Sequence, residues 1–408
     1  MSRKRGVYIL GAKRTPFGKF FGSLKDISVP WLAGLIINKM LEDCGFSRGG
    51  STYEGIDGVI LGQVLTAGSG QAPARQAALL ARLSETCPAE TVNKVCASSL
   101  FAIKMASREI QVGEAGLMIA GGMESMSRAP YLVTRRVKNE AFRIKNSVVM
   151  GLAVSRGEDA IDSMVFDGLV DPGVLRYSMG DLADTCAIKY QISREAQESY
   201  AYSSFERAYE AQRLGKFDLQ IGCLEDYKDE CIREPDLAKM QKLSPAFSAN
   251  GTVTAATSSQ IADGAAVMLL GDSRTARKRG LTKLVRSIDF ATHSQDPRWF
   301  TTAPVGAIKK ILLRNRLRVQ DVSLFEINEA FAVVPIYAMR ELGIPHEKLN
   351  IWGGAIALGH PLGASGARIV MNLMRQLHET GGRYGIACAC NGGGEAMAVL
   401  VENMQGRA

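Results

Sequence analysis

The sequence is short of histidine, with four in 408 residues, and of tryptophan, with three. It has no run of about 18 consecutive apolar residues, which excludes a membrane-spanning helix. Met1-Ser2-Arg3-Lys4-Arg5 leads straight into the strand-like Val7-Tyr8-Ile9-Leu10, which leaves no room for a secretory or transit peptide. Gly406-Arg407-Ala408 is no peroxisomal address. A cytoplasmic setting is expected by elimination, in which the eight cysteines stay mostly reduced. Cys388 and Cys390 alternate along a strand and are read as facing opposite sides of it. With no second Cys/His pair at ligand spacing, no metal is expected.

What is present describes an ordinary globular chain. The 46% hydrophobic and 22% charged content excludes wholesale disorder. Forty-two glycines exceed the usual share of about 7% without a collagen-like period, so many positions turn tightly or approach something closely. The formal charge is +8. One basic stretch is Arg135, Arg136, Lys138, Arg143 and Lys145; another is Arg274, Arg277, Lys278, Arg279 and Lys283. No finger, RNP or basic-heptad pattern accompanies them, so nucleic acid is not the expected partner. Solvated helix faces, or attraction of a small polyanion, explain the balance.

Apolar runs such as Gly58–Gly62, Leu117–Gly122 and Gly385–Cys390 read as strands. Ala97 to Ile110 has helical spacing, and Ser193 caps an amphipathic stretch to Leu214. Strands separated by helices imply an α/β fold. An internal echo suggests duplication: Ala97-Ser98-Ser99 opens a helix before a strand ending in Gly121-Gly122-Met123-Glu124, and Ala364-Ser365-Gly366 opens one before Gly392-Gly393-Gly394-Glu395. The charged, irregular residues from about 128 to 240 read as an insertion.

Four segments carry chemistry. Cys96, in Val95-Cys96-Ala97-Ser98, stands before a helix start, where the dipole favours a thiolate. Taken alone, a buried inert cysteine fits as well. His360, in Gly359-His360-Pro361, sits on a rigid turn suited to proton transfer or an oxyanion contact, or to a merely structural role. His293, His346 and His378 read as surface residues. Cys390 precedes three glycines whose N–H groups can meet an oxyanion. Glu326-Ile327-Asn328-Glu329 is a helix cap or a site.

In combination and in this order, the four segments resemble the thiolases, the acetyl-CoA C-acyltransferases. The resemblance begins at Ala12-Lys13-Arg14-Thr15-Pro16-Phe17-Gly18, continues through Gly121–Ser127 and Gly251–Ala255, and covers nearly the whole chain. It implies a duplicated five-layer α-β-α-β-α fold with an inserted loop domain. The expected parts are residues 1–127 and 247–280 as the N-terminal half, 128–246 as the loop domain for coenzyme A, and 281–408 as the C-terminal half.

By the same resemblance, Cys96 is the acylated nucleophile, His360 activates it, and Asn328 holds a water beside His360. Cys390 removes the α-proton of the second thioester, and the N–H groups of Cys96 and Gly392 form an oxyanion hole. Arg233 meets the adenine end of coenzyme A and Ser259 the pantetheine. Phe247, Ala255, Met179 and Phe331 line the pantetheine and acyl pocket, with plain core an equal reading for Phe247 and Met179.

Coenzyme A thioesters are therefore the expected substrates, with no permanently bound cofactor, and a homodimer or homotetramer is expected. The Gly121–Ser127 segment resembles the short-chain biosynthetic branch and suggests acetoacetyl-CoA chemistry; a broader-range degradative enzyme is the rival. Ser99, Ser178, Ala256-Thr257, Gln260, Ala262 and Phe300 depart from the usual pattern and leave the mode of coenzyme A binding open. A decarboxylating ketosynthase would need a second histidine where Cys390 stands. A silent acyl-CoA-binding protein would not need Cys96, Asn328, His360 and Cys390 together.

Overall fold

A computed structural model of the chain describes residues 5–48, 50–133, 160–171, 175–224 and 227–405. The basic residues Arg135, Arg136, Lys138, Arg143 and Lys145 lie outside the described residues. The strands in chain order are β1 (Val7–Arg14), β2 (Gly18–Lys19), β3 (Gly58–Gly62), β4 (Ala89–Val92), β5 (Leu117–Ser125), β6 (Tyr131–Val133), β7 (Ala160–Asp162), β8 (Ala262–Asp272), β9 (Val285–Ser294), β10 (Leu324–Ile327), β11 (Tyr384–Asn391) and β12 (Glu395–Asn403). β6 and β7 pair with each other. The rest form one 10-stranded sheet in the order β10-β11-β12-β9-β1-β8-β5-β3-β4, with β2 on β8.

Two half-sheets meet at β1, where Val7 pairs with both Asp272 of β8 and Ser287 of β9. β3 runs parallel to β4 and β5, and β10 parallel to β11. Parallel neighbours need a crossover. The helices Pro73–Leu80, Ser98–Val112 and Ser365–Thr380 lie on those crossovers.

The apolar clusters define the layers. One face of the first half-sheet, with Val59, Leu61, Ile119 and Leu269, packs on the helices Val29–Asp43 and Pro73–Leu80. Its other face, with Ile60, Met118 and Met268, shares a cluster with Ala387, Met397 and Val399 of the second half-sheet. The helices Ser98–Val112 and Ser365–Thr380 fill that shared layer. Beyond the second half-sheet, Phe325, Ile386 and Leu400 pack on the helices Ala303–Asn315 and Val333–Leu342. The order is helix, sheet, helix, sheet, helix, as expected.

The echo between the halves holds for helix and strand but not for glycine. Gly121 and Gly122 lie inside β5, where a Cβ at Gly122 would run into the Gly363 carbonyl. Gly392–Gly394 instead form the turn between β11 and β12, with Gly393 at φ +83° and Gly394 at φ +81°. Cys388 and Cys390 do not face opposite sides. Side chains two apart on a strand point the same way, and both pack in the outer cluster with Ile386.

Candidate active site

The Cys96 segment turns sharply after β4. Val95 has φ +48°, a left-handed conformation that a β-branched residue adopts only when its surroundings force it. Asn93 Oδ1 accepts from Val95 N–H at 2.9 Å. Ser98 Oγ accepts from Lys94 N–H at 2.8 Å and donates to Val95 O at 2.6 Å, closing the turn. Lys94 pairs with Glu395 at the start of β12, tying this turn to the glycine hairpin.

Cys96 lies one residue before Ala97, the N-cap of the Ser98–Val112 helix. Backbone N–H groups of Cys96 and Gly392 act to lower its thiol, but burial outweighs them and pushes it up to about 12. The thiol, not the thiolate, is therefore the resting form, contrary to the helix-start argument. Burial likewise holds the Cys390 thiol well above its ordinary value, and the neighbouring Cys96 adds to the rise.

His360 is buried, and its backbone N–H donates to Gln260 O at 2.8 Å. Its Nδ1 lies 2.6 Å from Ser365 Oγ, and that hydroxyl donates to Pro361 O at 2.9 Å. On the other side, Asn328 Nδ2 stands 3.3 Å from His360 Nε2. Burial, then the charge of Arg368, lowers His360 to about 3, so the imidazole is neutral at rest. The other three histidines are half-buried rather than fully exposed. His293 Nε2 meets Gln295 Oε1 at 3.0 Å, His378 Nε2 meets Leu284 O at 3.1 Å, and His346 packs on Tyr200.

Glu124 holds the His360 turn against the first half. Its carboxylate accepts from Val64 N–H at 3.0 Å, Leu65 N–H at 3.1 Å and Gly363 N–H at 2.9 Å. Burial nevertheless raises it to about 7.

A cavity of about 290 Å³ opens beside these groups. Met179, Phe247, Ser259, Phe331 and His360 line it together. Phe247 meets Phe331 edge-on at 5.9 Å, and Phe300 meets Phe331 at 6.3 Å. Arg233 and Ala255 do not line it: both are exposed, and the Arg233 guanidinium lies 4.5 Å from the Phe205 ring centroid. The far wall was not read from the sequence. Met164, Val165, Leu169 and Val170 come from the Met164–Leu169 turn region, and Met126 and Leu362 complete it. Cys96 packs against the same Met126, Met164 and Leu362 cluster. Among the described residues, no group of three or more His, Cys, Asp or Glu is arranged to hold a metal.

Several departures from the usual pattern have structural work. Ser178 caps the Met179–Lys189 helix in a reciprocal box with Asp181. Thr257 Oγ1 accepts from Thr254 N–H at 2.9 Å in the buried turn before β8. Ala262 packs tightly under the Gly359 turn, where a Cβ at Gly359 would sit 2.7 Å from the Ala262 Cβ.

Comparison with known proteins matches residues 7–274 to the family model "Thiolase, N-terminal domain" and 281–403 to "Thiolase, C-terminal domain". The chain is 41% identical over 406 residues to a "Probable acetyl-CoA acyltransferase" of Staphylococcus aureus (strain COL), covering 97% of this chain and 98% of that protein. It is 41% identical over 411 residues to "Acetyl-CoA acetyltransferase 2" of Arabidopsis thaliana, covering 98% of this chain and 97% of that one. The crystal structure of the Acat5 thiolase from Ascaris suum in complex with coenzyme A superposes with TM-score 0.87 at 35% identity, covering 98% of this chain and 100% of the other.

Proposed function

This chain belongs to the thiolase family, and from that premise we propose that Cys96 carries the acyl group in its acyl transfer between coenzyme A thioesters. His360 Nε2 takes the Cys96 proton as the sulfur attacks the thioester carbon, and the departing coenzyme A thiolate leaves with a proton. His360, neutral again once coenzyme A has left with its proton, takes the Cys390 proton. The Cys390 thiolate removes the α-proton of a second thioester, the carbanion attacks acyl-Cys96, and the departing Cys96 sulfur takes the proton back from His360 Nε2. A 3-ketoacyl-CoA is released; thiolysis is the reverse. An α-proton is weakly acidic, so enolate stabilisation must supply much of the barrier reduction. Asn328 and His360 face the thioester oxygen in this scheme. The N–H groups of Cys96 and Gly392 receive the oxyanion of the acyl-enzyme attack.

The observation that supports this reading best is the nearness of the two thiols: Cys96 lies close enough to Cys390 to raise its thiol, while the Gly392 N–H acts on Cys96. Two cysteines so placed divide the labour of a nucleophile and a base.

For the substrate we assign a short acyl chain, acetoacetyl-CoA first. Cys96 packs against the apolar cluster of Val64, Leu65, Met126, Met164 and Leu362, which suits a small acyl group. The pantetheine is assigned to the cavity of Met179, Phe247, Ser259 and Phe331, with Ala255 at its exposed rim, and the adenine end to Arg233. Residues 128–246 are assigned as the loop domain for coenzyme A, between an N-terminal half of 1–127 and 247–280 and a C-terminal half of 281–408. A cytoplasmic homotetramer is the assigned state; eight free cysteines support a reducing compartment.

The test is thiolysis of acetoacetyl-CoA and of a longer 3-ketoacyl-CoA, with Cys96→Ala as control. Turnover of acetoacetyl-CoA that vanishes in the variant supports the reading. Preference for the longer substrate would reassign the enzyme as broad-range, and no turnover at any chain length would leave only thioester binding.

A further inference from the structure

Arg368 lies in the Ser365–Thr380 helix, fully buried between the two half-sheets. Its Nη2 donates to Asn328 Oδ1 at 3.1 Å and its Nη1 to Glu326 Oε2 at 3.4 Å. Gln376 Nε2 donates to the other Glu326 oxygen at 2.8 Å. A guanidinium only donates, so the Asn328 amide must present its oxygen to Arg368 and its NH₂ to His360. Against an NH₂ group, His360 Nε2 can only be the nitrogen without a proton. The opposite ring nitrogen agrees: the Ser365 hydroxyl gives its proton to Pro361 O, so Nδ1 donates to it.

We infer that Arg368 is a positioning residue that sets the polarity of the Asn328–His360 pair, keeping Nε2 unprotonated and ready to receive the Cys96 proton. This rests on the acyl-cysteine reading above. In acylation, the Cys96 S–H bond breaks, its electron pair stays on sulfur, and an Nε2–H bond forms. The thiolate adds to the thioester carbon, the C–S bond to coenzyme A breaks, and the coenzyme A thiolate takes the proton from Nε2.

The same geometry makes His360 give that proton up. Nε2–H would face the Asn328 NH₂, which Arg368 prevents from turning round. The charged groups around the pair are Arg368, Glu326 and Glu329, with the buried Arg14–Asp229 pair behind them. Arg368 opposes a charge on His360, while Glu326 offsets the charge of Arg368. His360 is thereby a carrier of a proton and not a store for it.

The test is ¹⁵N-histidine NMR of the full-length enzyme, where only four histidines need assigning, together with kinetics of Arg368→Met combined with Glu326→Gln. That pair removes both charges at once and avoids an unpaired buried carboxylate. In the wild type, His360 Nε2 resonates as an unprotonated nitrogen and Nδ1 as a protonated one. In the double variant Asn328 is free to turn, and Nε2 becomes protonated. Turnover falls about tenfold to a hundredfold with KM changed less than about threefold, the scale of a misplaced catalytic group. The acid limb of the pH profile moves up by about one unit.

In an Asn328→Ala background, the same pair costs less than about twofold more, because Arg368 acts through Asn328. A protonated Nε2 in the wild type overturns the proposal even if the variant does not fold. So does an unchanged tautomer and turnover in a folded variant, or costs that add in full. The NMR result does not depend on turnover, so failure of the acyl-cysteine reading would be seen separately, as activity retained by Cys96→Ala.

Discussion

Ser99 Oγ accepts a hydrogen bond from Ala367 N–H at 2.9 Å, joining the first turns of the two central helices. Ser99 thus forms a link across the seam between the two halves. The same N–H also reaches Ala364 O at 3.1 Å, so losing the Ser99 hydroxyl removes one of two acceptors, a net loss of about 0.5–1.5 kcal/mol. Ser99→Ala should therefore lower unfolding stability by about that amount while kcat changes by less than about threefold. Urea unfolding alongside a steady-state assay checks both. On the other side of the seam, a Cβ at Gly366 would sit 2.8 Å from Leu100 N and 2.9 Å from Ser99 Oγ. Gly366→Ala should destabilise through overpacking by about 1–3 kcal/mol.

A second prediction concerns pH. His360 binds its proton less well folded, at about 3, than unfolded, near 6.5. Between those values the unfolded chain holds more protons, so stability from His360 is present above pH 6.5 and is lost as pH falls towards 3. Glu124, raised to about 7, works the opposite way between about 4.5 and 7. The two partly cancel in the wild type, so the comparison must isolate one. His360→Asn should remove a slope of up to about 1.4 kcal/mol per pH unit, measured by urea unfolding between about pH 5 and 7. A difference between wild type and variant that does not change with pH would refute the buried neutral imidazole.

Phe247 supplies a third. It is 37% exposed at the mouth of the cavity and braced edge-on by Phe331. Phe247→Ala should raise KM for coenzyme A thioesters by about tenfold, with kcat within about threefold, because it removes contact with a part of the substrate that does not react. Gly180→Ala should act similarly, since a Cβ there would run into the Phe247 ring. A fall in kcat with unchanged KM would place Phe247 at the reacting centre instead.

Much of the layering was legible in the sequence, and the reason is periodicity. Leu117–Gly122 and Gly385–Cys390 are apolar enough to be strands buried on both faces, and Ala97–Ile110 carries a helical stripe. Cys96, His360 and Cys390 stood out because each has glycine or alanine beside it, and Asn328 because it stands between carboxylates in Glu326-Ile327-Asn328-Glu329, all in a distinctive order. The rest of the site was hidden for different reasons. Met164, Val165, Leu169 and Val170 look like any apolar run, and only the folded chain brings them to Leu362. Val95 gave no sign of its left-handed backbone, because β-branched residues disfavour it and the surrounding hydrogen bonds impose it. Arg368 resembled one more charged residue on a helix; its burial follows from a helix packed between two sheets. The mistaken faces of Cys388 and Cys390 came from misreading the two-residue period of a strand.

A fourth prediction separates the two thiols. Cys390→Ser replaces a thiol with a hydroxyl, a much weaker acid-base partner, while Cys96 remains intact. Condensation, followed by exchange of the α-proton of acetyl-CoA with deuterium, should slow by about a hundredfold or more. Acylation of Cys96 in a single-turnover experiment should slow by less than about tenfold. Equal slowing of both steps would refute Cys390 as the α-proton base.

The central claim is the acyl-Cys96 intermediate, and acid-quench mass spectrometry after mixing with acetyl-CoA tests it most directly. The account predicts an acetyl group on the peptide carrying Cys96, formed within the time of one turnover, discharged by free coenzyme A and absent from Cys96→Ala. An acetyl group that forms on another residue at the turnover rate, or undiminished thiolysis by Cys96→Ala, would contradict it.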